Sequence, residues 1–499
     1  MSNTSRRKFL QASAAAAAAA VLPSSATGKS LPRKNVLFIG VDDLNTSLRC
    51  YGNPVVHTPH LDRLAGRGVQ FDAAYCQYPL CSPSRSSLMT GLSPDTTRVY
   101  ELQTHFRQVV PNAITIGELF RKNGYYSARV GKIFHAGNPG EIGTDGLDDP
   151  VTWDWVSDPC GIDHLKEEAL VTKLTPQRPS LGNSLNFYSS PAKDDQITDG
   201  IGADEVVRLL KQHRQKPFFI AYGLYRPHVP WIVPESYFAQ YPLEEIKVFP
   251  FDPSELKTAP PIAYWTQPPD FGMSELQKRQ AIRAYYAATT YMDAQVGKVL
   301  IALETLGLAD NTIVVFWSDH GWQMGQHGQW MKQDLFEHSA KVPVIFAGPG
   351  VAKHGATCRR TIEHLDIYPT LIDMCGLAGS PTNLHGESLV RLLEDPTAMW
   401  SKPAVTQVER TVQGHPSLMG YSVRTERYRY TSWQDGAAGE ELYDYQNDPH
   451  ELKNLASDPT HHRIKFALQV QLNSITRARG KPRSTATLSR SVNVEETAC

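Results

Sequence analysis

At 499 residues the chain can bury a large core, and one big α/β domain with a smaller appendage fits that length better than a single minimal fold. Its 50 Lys and Arg are balanced by 51 Asp and Glu, for a net charge of −1 without a long basic run, which argues against a broad nucleic-acid or polyanion face. A charged substrate must then be held by a few residues in a pocket, and no segment after the N-terminal region reaches the ~20 apolar residues of a membrane span.

The N-terminus carries Ser5-Arg6-Arg7-Lys8-Phe9-Leu10, then an apolar run over 12–22 and the small residues Ser24-Ser25-Ala26. This resembles a twin-arginine export signal over 1–26, cleaved from the mature protein, with the twin-arginine translocase as partner and the periplasm or the exterior as destination. Seven cysteines (Cys50, Cys76, Cys81, Cys160, Cys358, Cys375 and Cys499) include no CxxC pair and no zinc-ribbon spacing; their pairing stays open.

Short apolar runs at 36–41, 126–130, 218–222, 312–317 and 342–347 are expected to be buried, parallel-type strands. The clearest helix spans 275–306, where Ile282, Tyr285, Met292, Val296, Val299, Leu303 and Leu306 recur at helical steps, Ser274 and Gln277 form a capping box, and Gly307 stops it. Strands alternating with helices predict an α/β fold with a large, mostly parallel central sheet over 33–400. Residues 139–200, rich in Gly, Asp, Pro and Ser, and 231–272, punctuated by prolines, are expected to be rim loops. Alternation over 420–433 predicts a small antiparallel C-terminal subdomain over 401–480, followed by a disordered tail over 481–499.

Polar clusters follow the strands. Asp42-Asp43 comes after the first, Gly131-Lys132 and His135 after the second, His228 beyond the third, and Asp319-His320 after the fourth. In open α/β sheets the carboxyl ends of the strands form the ligand crevice, so these groups should meet there.

Cys81-Ser82-Pro83-Ser84-Arg85 spells C-x-P-x-R, with Leu88, Thr90 and Gly91 continuing the pattern. Together with Gly131-Lys132-Ile133-Phe134-His135, Arg226-Pro227-His228 and Ser318-Asp319-His320-Gly321-Trp322, it resembles the formylglycine-dependent sulfatase family, and within it the iduronate-2-sulfatase branch. The resemblance covers about 35–458 and weakens in the rim loops. It implies an alkaline phosphatase-like fold and a sulfuric ester hydrolase acting on a sulfated saccharide.

In this reading a maturase oxidises Cys81 to Cα-formylglycine. One hydroxyl of its hydrate attacks sulfur, and loss of the other's proton later releases sulfate. Asp42, Asp43, Asp319 and His320, with the modified Cys81, would hold a divalent cation; three carboxylates favour Ca2+ over Mg2+. The resemblance makes Lys132 and Lys332 sulfate clamps, Arg85 the group that orients residue 81, His135 the acceptor of the hydrate's proton, and His228 the leaving-group acid. His57, His60, His105, His327 and His364 are left as structural histidines. The branch suggests exo removal of the 2-O-sulfate from a terminal uronate. Phosphate or phosphonate ester hydrolysis is the rival chemistry, and a non-catalytic glycan binder the rival without chemistry.

Overall fold

The computed structural model describes residues 33–351, 354–411 and 417–482. The expected export signal and the tail beyond 482 lie outside the described residues. All five expected strands form, and they belong to one eight-stranded sheet: β1 (Asn35–Val41), β2 (Gly68–Tyr75), β3 (Tyr126–Gly131), β4 (Trp155–Ser157), β5 (Phe218–Leu224), β6 (Thr312–Ser318), β7 (Lys341–Ala347) and β8 (Ala356–Glu363). The spatial order is β8-β2-β7-β6-β1-β5-β3-β4, and every pairing is parallel except those of β7, which runs against both β6 and β2.

The central strands are apolar on both faces because both faces are covered. From β1, Val36 and Phe38 join Ile313, Val315 and Trp317 of β6 in a core closed by Leu88, Met89, Ile367 and Leu371. Leu37, Ile39 and Val41 point the other way and pack with Val206, Leu210, Met292, Val296 and Val299. The second set comes from the helices Thr198–His213 and Glu275–Thr305. The long helix begins as its sequence indicates, with the Ser274–Gln277 capping box in place and Gly307 in the left-handed region at φ 68°.

The two expected rim loops pair with each other. Asn186–Ser190 runs parallel to Trp231–Pro234, and Thr172–Lys173 adds on the other side of Asn186–Ser190. Downstream, β9 (Ala404–Arg410), β10 (Leu418–Arg424), β11 (Tyr428–Trp433) and β12 (Gly439–Asp444) form the expected antiparallel sheet. The helix His462–Ala478 covers one face through Leu468 and Leu472. On the other face, Val408, Trp433 and Tyr443 share a core with Tyr78, Leu335 and Phe336, so this sheet is seated against the segments that follow β2 and precede β7. None of the six described cysteines is in a disulfide.

Candidate active site

The ends of β1, β3, β5 and β6 bring the expected residues to one place. Asp42 and Asp43 follow β1, and both are fully buried. Asp43 adopts φ 60°, its amide donates to Asp319 Oδ1 at 3.2 Å, and its carbonyl accepts from the Tyr285 hydroxyl at 2.8 Å. The same hydroxyl accepts from the Asn45 amide at 2.9 Å. Beyond β3 the chain crosses close to β5: a Cβ at Gly131, where φ is 70°, would lie 2.2 Å from the Gly223 carbonyl oxygen. Only glycine tolerates that approach, and it lets the Lys132 amide donate to Gly223 O at 3.0 Å. Lys132 Nζ is thereby delivered to Asp42 Oδ2 at 2.5 Å.

Cys81 opens the helix Cys81–Thr90, all ten residues of which are buried. Its Sγ lies 3.4 Å from Asp42 Oδ1, 3.4 Å from His320 Nε2 and 3.2 Å from Lys332 Nζ. One turn on, Arg85 is fully buried; Nε donates to Asp319 Oδ2 at 2.8 Å and Nη1 to the Lys132 carbonyl at 2.7 Å. Arg85 thus ties the Cys81 helix to two strand ends. His320 turns Nδ1 to the Gly321 carbonyl at 3.0 Å and so presents Nε2 to Cys81 and, at 3.4 Å, to Asp43 Oδ1. His228 does likewise, with Nδ1 on Val229 O at 2.5 Å and Nε2 3.6 Å from Asp43 Oδ2. Lys332, beyond the hairpin of Gln323–Met324 and Trp330–Met331, also donates to Asp43 Oδ1, and its ammonium lies 5.8 Å from the centroid of the Trp322 ring. His135 lies against the Cys81 sulfur and is 7 % exposed.

Charge is concentrated where little water reaches. Burial pushes the Cys81 thiol up, but Lys332, Lys132 and His320 outweigh it and hold the thiol well below its usual range. Burial and the Cys81 sulfur raise Asp42, yet Lys132, His228 and Arg85 keep it ionised well below the carboxylate range. Burial lowers His320, but Asp319 and the Cys81 sulfur together outweigh burial and Lys332 and lift it to about 9. Burial also lowers His135, against the pull of Cys81, which favours a neutral ring able to take a proton.

Two overlapping donor sets, Asp42-Asp43-Cys81-His228 and Asp42-Cys81-Asp319-His320, have their ligand atoms within 4.8 Å of one another. Asp43 Oδ2 is buried without a hydrogen-bond partner, a free lone pair aimed into the cluster. Carboxylate oxygens of this kind fit a hard divalent cation.

Every expected site residue is in this cluster, and the histidines left as structural are elsewhere. His327 pairs with Glu255 at 3.2 Å and stacks on Phe336; His57 contacts Gln240 at the surface. His364 comes closest. It sits against Trp317 with its ring centroid 6.0 Å away, and burial first, then His320 and Arg85, lower its pKa to about 3. Sequence reasoning missed Tyr285, which it placed in the helix core. The signal lay in its hydroxyl, since a tyrosine on a buried helix face needs a polar partner.

The comparisons agree with this geometry. Residues 34–377 match the Sulfatase family model, residues 325–478 match the model of the N-sulphoglucosamine sulphohydrolase C-terminal region, and residues 3–23 match the twin-arginine translocation signal. The chain is 31% identical to the iduronate 2-sulfatase of Mus musculus over 90% of its own length and 95% of that protein. Among solved structures, the phosphonate monoester hydrolase of Agrobacterium radiobacter shares the fold at a TM-score of 0.74 and 23% identity, over 90% of this chain and 96% of that one. A structure described as a 2-O GAG sulfatase aligns at a TM-score of 0.68 and 26% identity, over 90% and 93%. The twin-arginine signal marks the protein for export to the periplasm or beyond, and no helix among the described residues is long and apolar enough to cross a membrane. With residues 34–377 matching that family and a cluster of carboxylates, lysines and histidines around Cys81, the chain belongs to the sulfatase family of sulfate ester hydrolases.

Proposed function

We propose that the enzyme removes the 2-O-sulfate from a terminal uronate of a sulfated saccharide, from the chain end. The observation that carries the exo reading is the depth of the site. Cys81 is 2 % exposed, His228 5 %, Lys332 6 % and His135 7 %, so the reacting groups lie below the surface, where the end of a chain reaches them more readily than its interior. The uronate and the 2-O position rest on the likeness to iduronate 2-sulfatase and to the 2-O GAG sulfatase.

Cys81, oxidised to formylglycine by a dedicated maturase, supplies the attacking oxygen as its hydrate; Asp42, Asp43, Asp319, His320 and residue 81 would hold a divalent cation, Ca2+ in preference to Mg2+, which would supply positive charge to the sulfate oxygens. Lys132 and Lys332 flank the same point and stabilise charge on the sulfate oxygens in a water-poor site. Arg85 fixes the helix that carries residue 81. His135 accepts a proton from residue 81. His228, with Nδ1 occupied by a carbonyl, presents Nε2 for donation to the departing sugar oxygen.

The test is sulfate release from size-defined oligosaccharides bearing one terminal 2-O-sulfate and several internal sulfates. One equivalent per chain supports the reading. Release in proportion to internal sulfate contradicts exo action, and faster cleavage of the matching phosphate ester contradicts sulfatase specificity.

A further inference from the structure

β5 ends at Leu224, and the next two amides find their acceptor on another element. Tyr225 N donates to Asp199 Oδ1 at 2.8 Å and Arg226 N to Asp199 Oδ2 at 2.9 Å, so one buried carboxylate holds two consecutive peptides. Asp199 is fixed in turn: it lies in the first turn of the helix Thr198–His213, and its own carbonyl accepts from the Tyr222 hydroxyl. The Arg226 guanidinium, 1 % exposed, reaches back to Asp163 Oδ2 at 2.8 Å and to the Ile232 carbonyl at 3.3 Å. The other oxygen of Asp163 accepts from the Thr198 amide at 2.9 Å and from its hydroxyl at 2.7 Å, closing a loop from helix to strand end. From this clamp the chain turns once. His228 N donates to Tyr225 O at 2.9 Å and Trp231 Nε1 to Pro227 O at 2.7 Å, and the His228 ring then projects Nε2 toward Asp43.

We propose that Asp199 and the Asp163–Arg226 pair are positioning residues for His228: they set the backbone from Tyr225 to His228 so that Nε2 faces the departing oxygen. Neither carboxylate is in the donor sets around Cys81, so their effect on turnover runs through the loop. This inference rests on the reading of His228 as leaving-group acid. A misplaced acid harms some substrates and spares others. A sugar alkoxide needs a proton to leave, whereas 4-nitrophenolate leaves without one. A loop that moves by an ångström therefore lowers kcat on the saccharide while binding survives.

The experiment compares Asp199→Asn, Asp163→Asn and His228→Ala, singly and with each Asn variant combined with His228→Ala, on a saccharide sulfate and on 4-nitrophenyl sulfate. Each Asp→Asn change should lower kcat on the saccharide by about ten-fold or more, shift KM by less than about two-fold, and change 4-nitrophenyl turnover by less than about three-fold. Added to His228→Ala, neither should cost anything further, because what they position is already gone. Equal losses on both substrates, or losses that add to that of His228→Ala, would overturn the proposal. If Asp199→Asn does not fold, Asp163→Asn, which leaves the two bonds to Asp199 intact, carries the same test. Turnover of sulfate esters by the unaltered enzyme tests the hydrolase reading on its own; the ratios among variants test the positioning role on whichever ester is cleaved.

Discussion

Arg479 lies just past the C-terminal helix and grips the end of β8. Its Nη1 and Nη2 donate to Glu363 Oε1 and Oε2 at 2.7 and 2.6 Å, Lys402 stands 3.2 Å from the same carboxylate, and the Val405 amide donates to Oε1 at 2.9 Å. Glu363 is completely buried. Arg479→Met removes the bidentate partner and leaves that charge with Lys402 alone, which should cost about 3–5 kcal/mol, toward the lower end because Lys402 remains. A second route gives a similar figure. Burial alone would raise Glu363, but Arg479 and Lys402 bring its pKa from 4.5 to about 2, equivalent to about 3 kcal/mol at neutral pH. Asp366, raised by burial against the pull of Lys402, acts in the opposite sense, so that figure is a ceiling for the cluster. Because the folded pKa of Glu363 lies below its unfolded value, the stabilisation is complete above about pH 4.5 and is lost as pH falls toward 2. Urea unfolding followed by tryptophan fluorescence, at several pH values between neutral and 3, measures it. The gap between the unaltered protein and Arg479→Met should be largest at neutral pH and narrow below 4.5. A gap under about 1 kcal/mol, or one that does not change with pH, would refute the reasoning.

Tyr285→Phe should leave the Asn45 amide and the Asp43 carbonyl short of a partner and cost about 1–3 kcal/mol in the same unfolding assay, with reduced turnover because Asp43 is no longer held. Lys332→Met should lower kcat by about 10²–10³ while the folded state is retained, as read by circular dichroism and steady-state kinetics. Dialysis against a calcium-binding chelator should abolish turnover, and Ca2+ should restore it more fully than Mg2+; undiminished activity after verified metal removal would contradict the cation's role. Gly131→Ala should disturb the site, since its Cβ would meet the Gly223 carbonyl at 2.2 Å; soluble, fully active protein would contradict that contact.

The sequence is most readable where burial is symmetrical. β1, β5 and β6 are apolar on both faces, so their ends, and the groups placed after them, could be located from composition. β2 went unread because Gln70 and Asp72 interrupt it. Gln70 is buried all the same, because its amide finds the Cys50 carbonyl at 3.1 Å, a pairing set only by the tertiary fold. β8, at the sheet edge, carries Arg359 and Arg360 and lacks an apolar stripe. The reversed direction of β7 left no mark, since an apolar run packs equally well either way. At the site, the motif residues announced themselves by type and spacing. Asp199 and Tyr285 did not: one falls within the expected rim loop 139–200 and the other in a helix core, and the backbone groups they serve belong to distant strand ends.

The most direct test of the account is the chemical state of residue 81 in active enzyme. Protein produced with a formylglycine-generating maturase is digested, the peptide containing residue 81 is identified by mass spectrometry, and sulfate release is measured on the same preparation and on one made without the maturase. The account predicts aldehyde at position 81 in proportion to specific activity, and negligible turnover where the thiol remains. Full activity with an unmodified Cys81 thiol would contradict it.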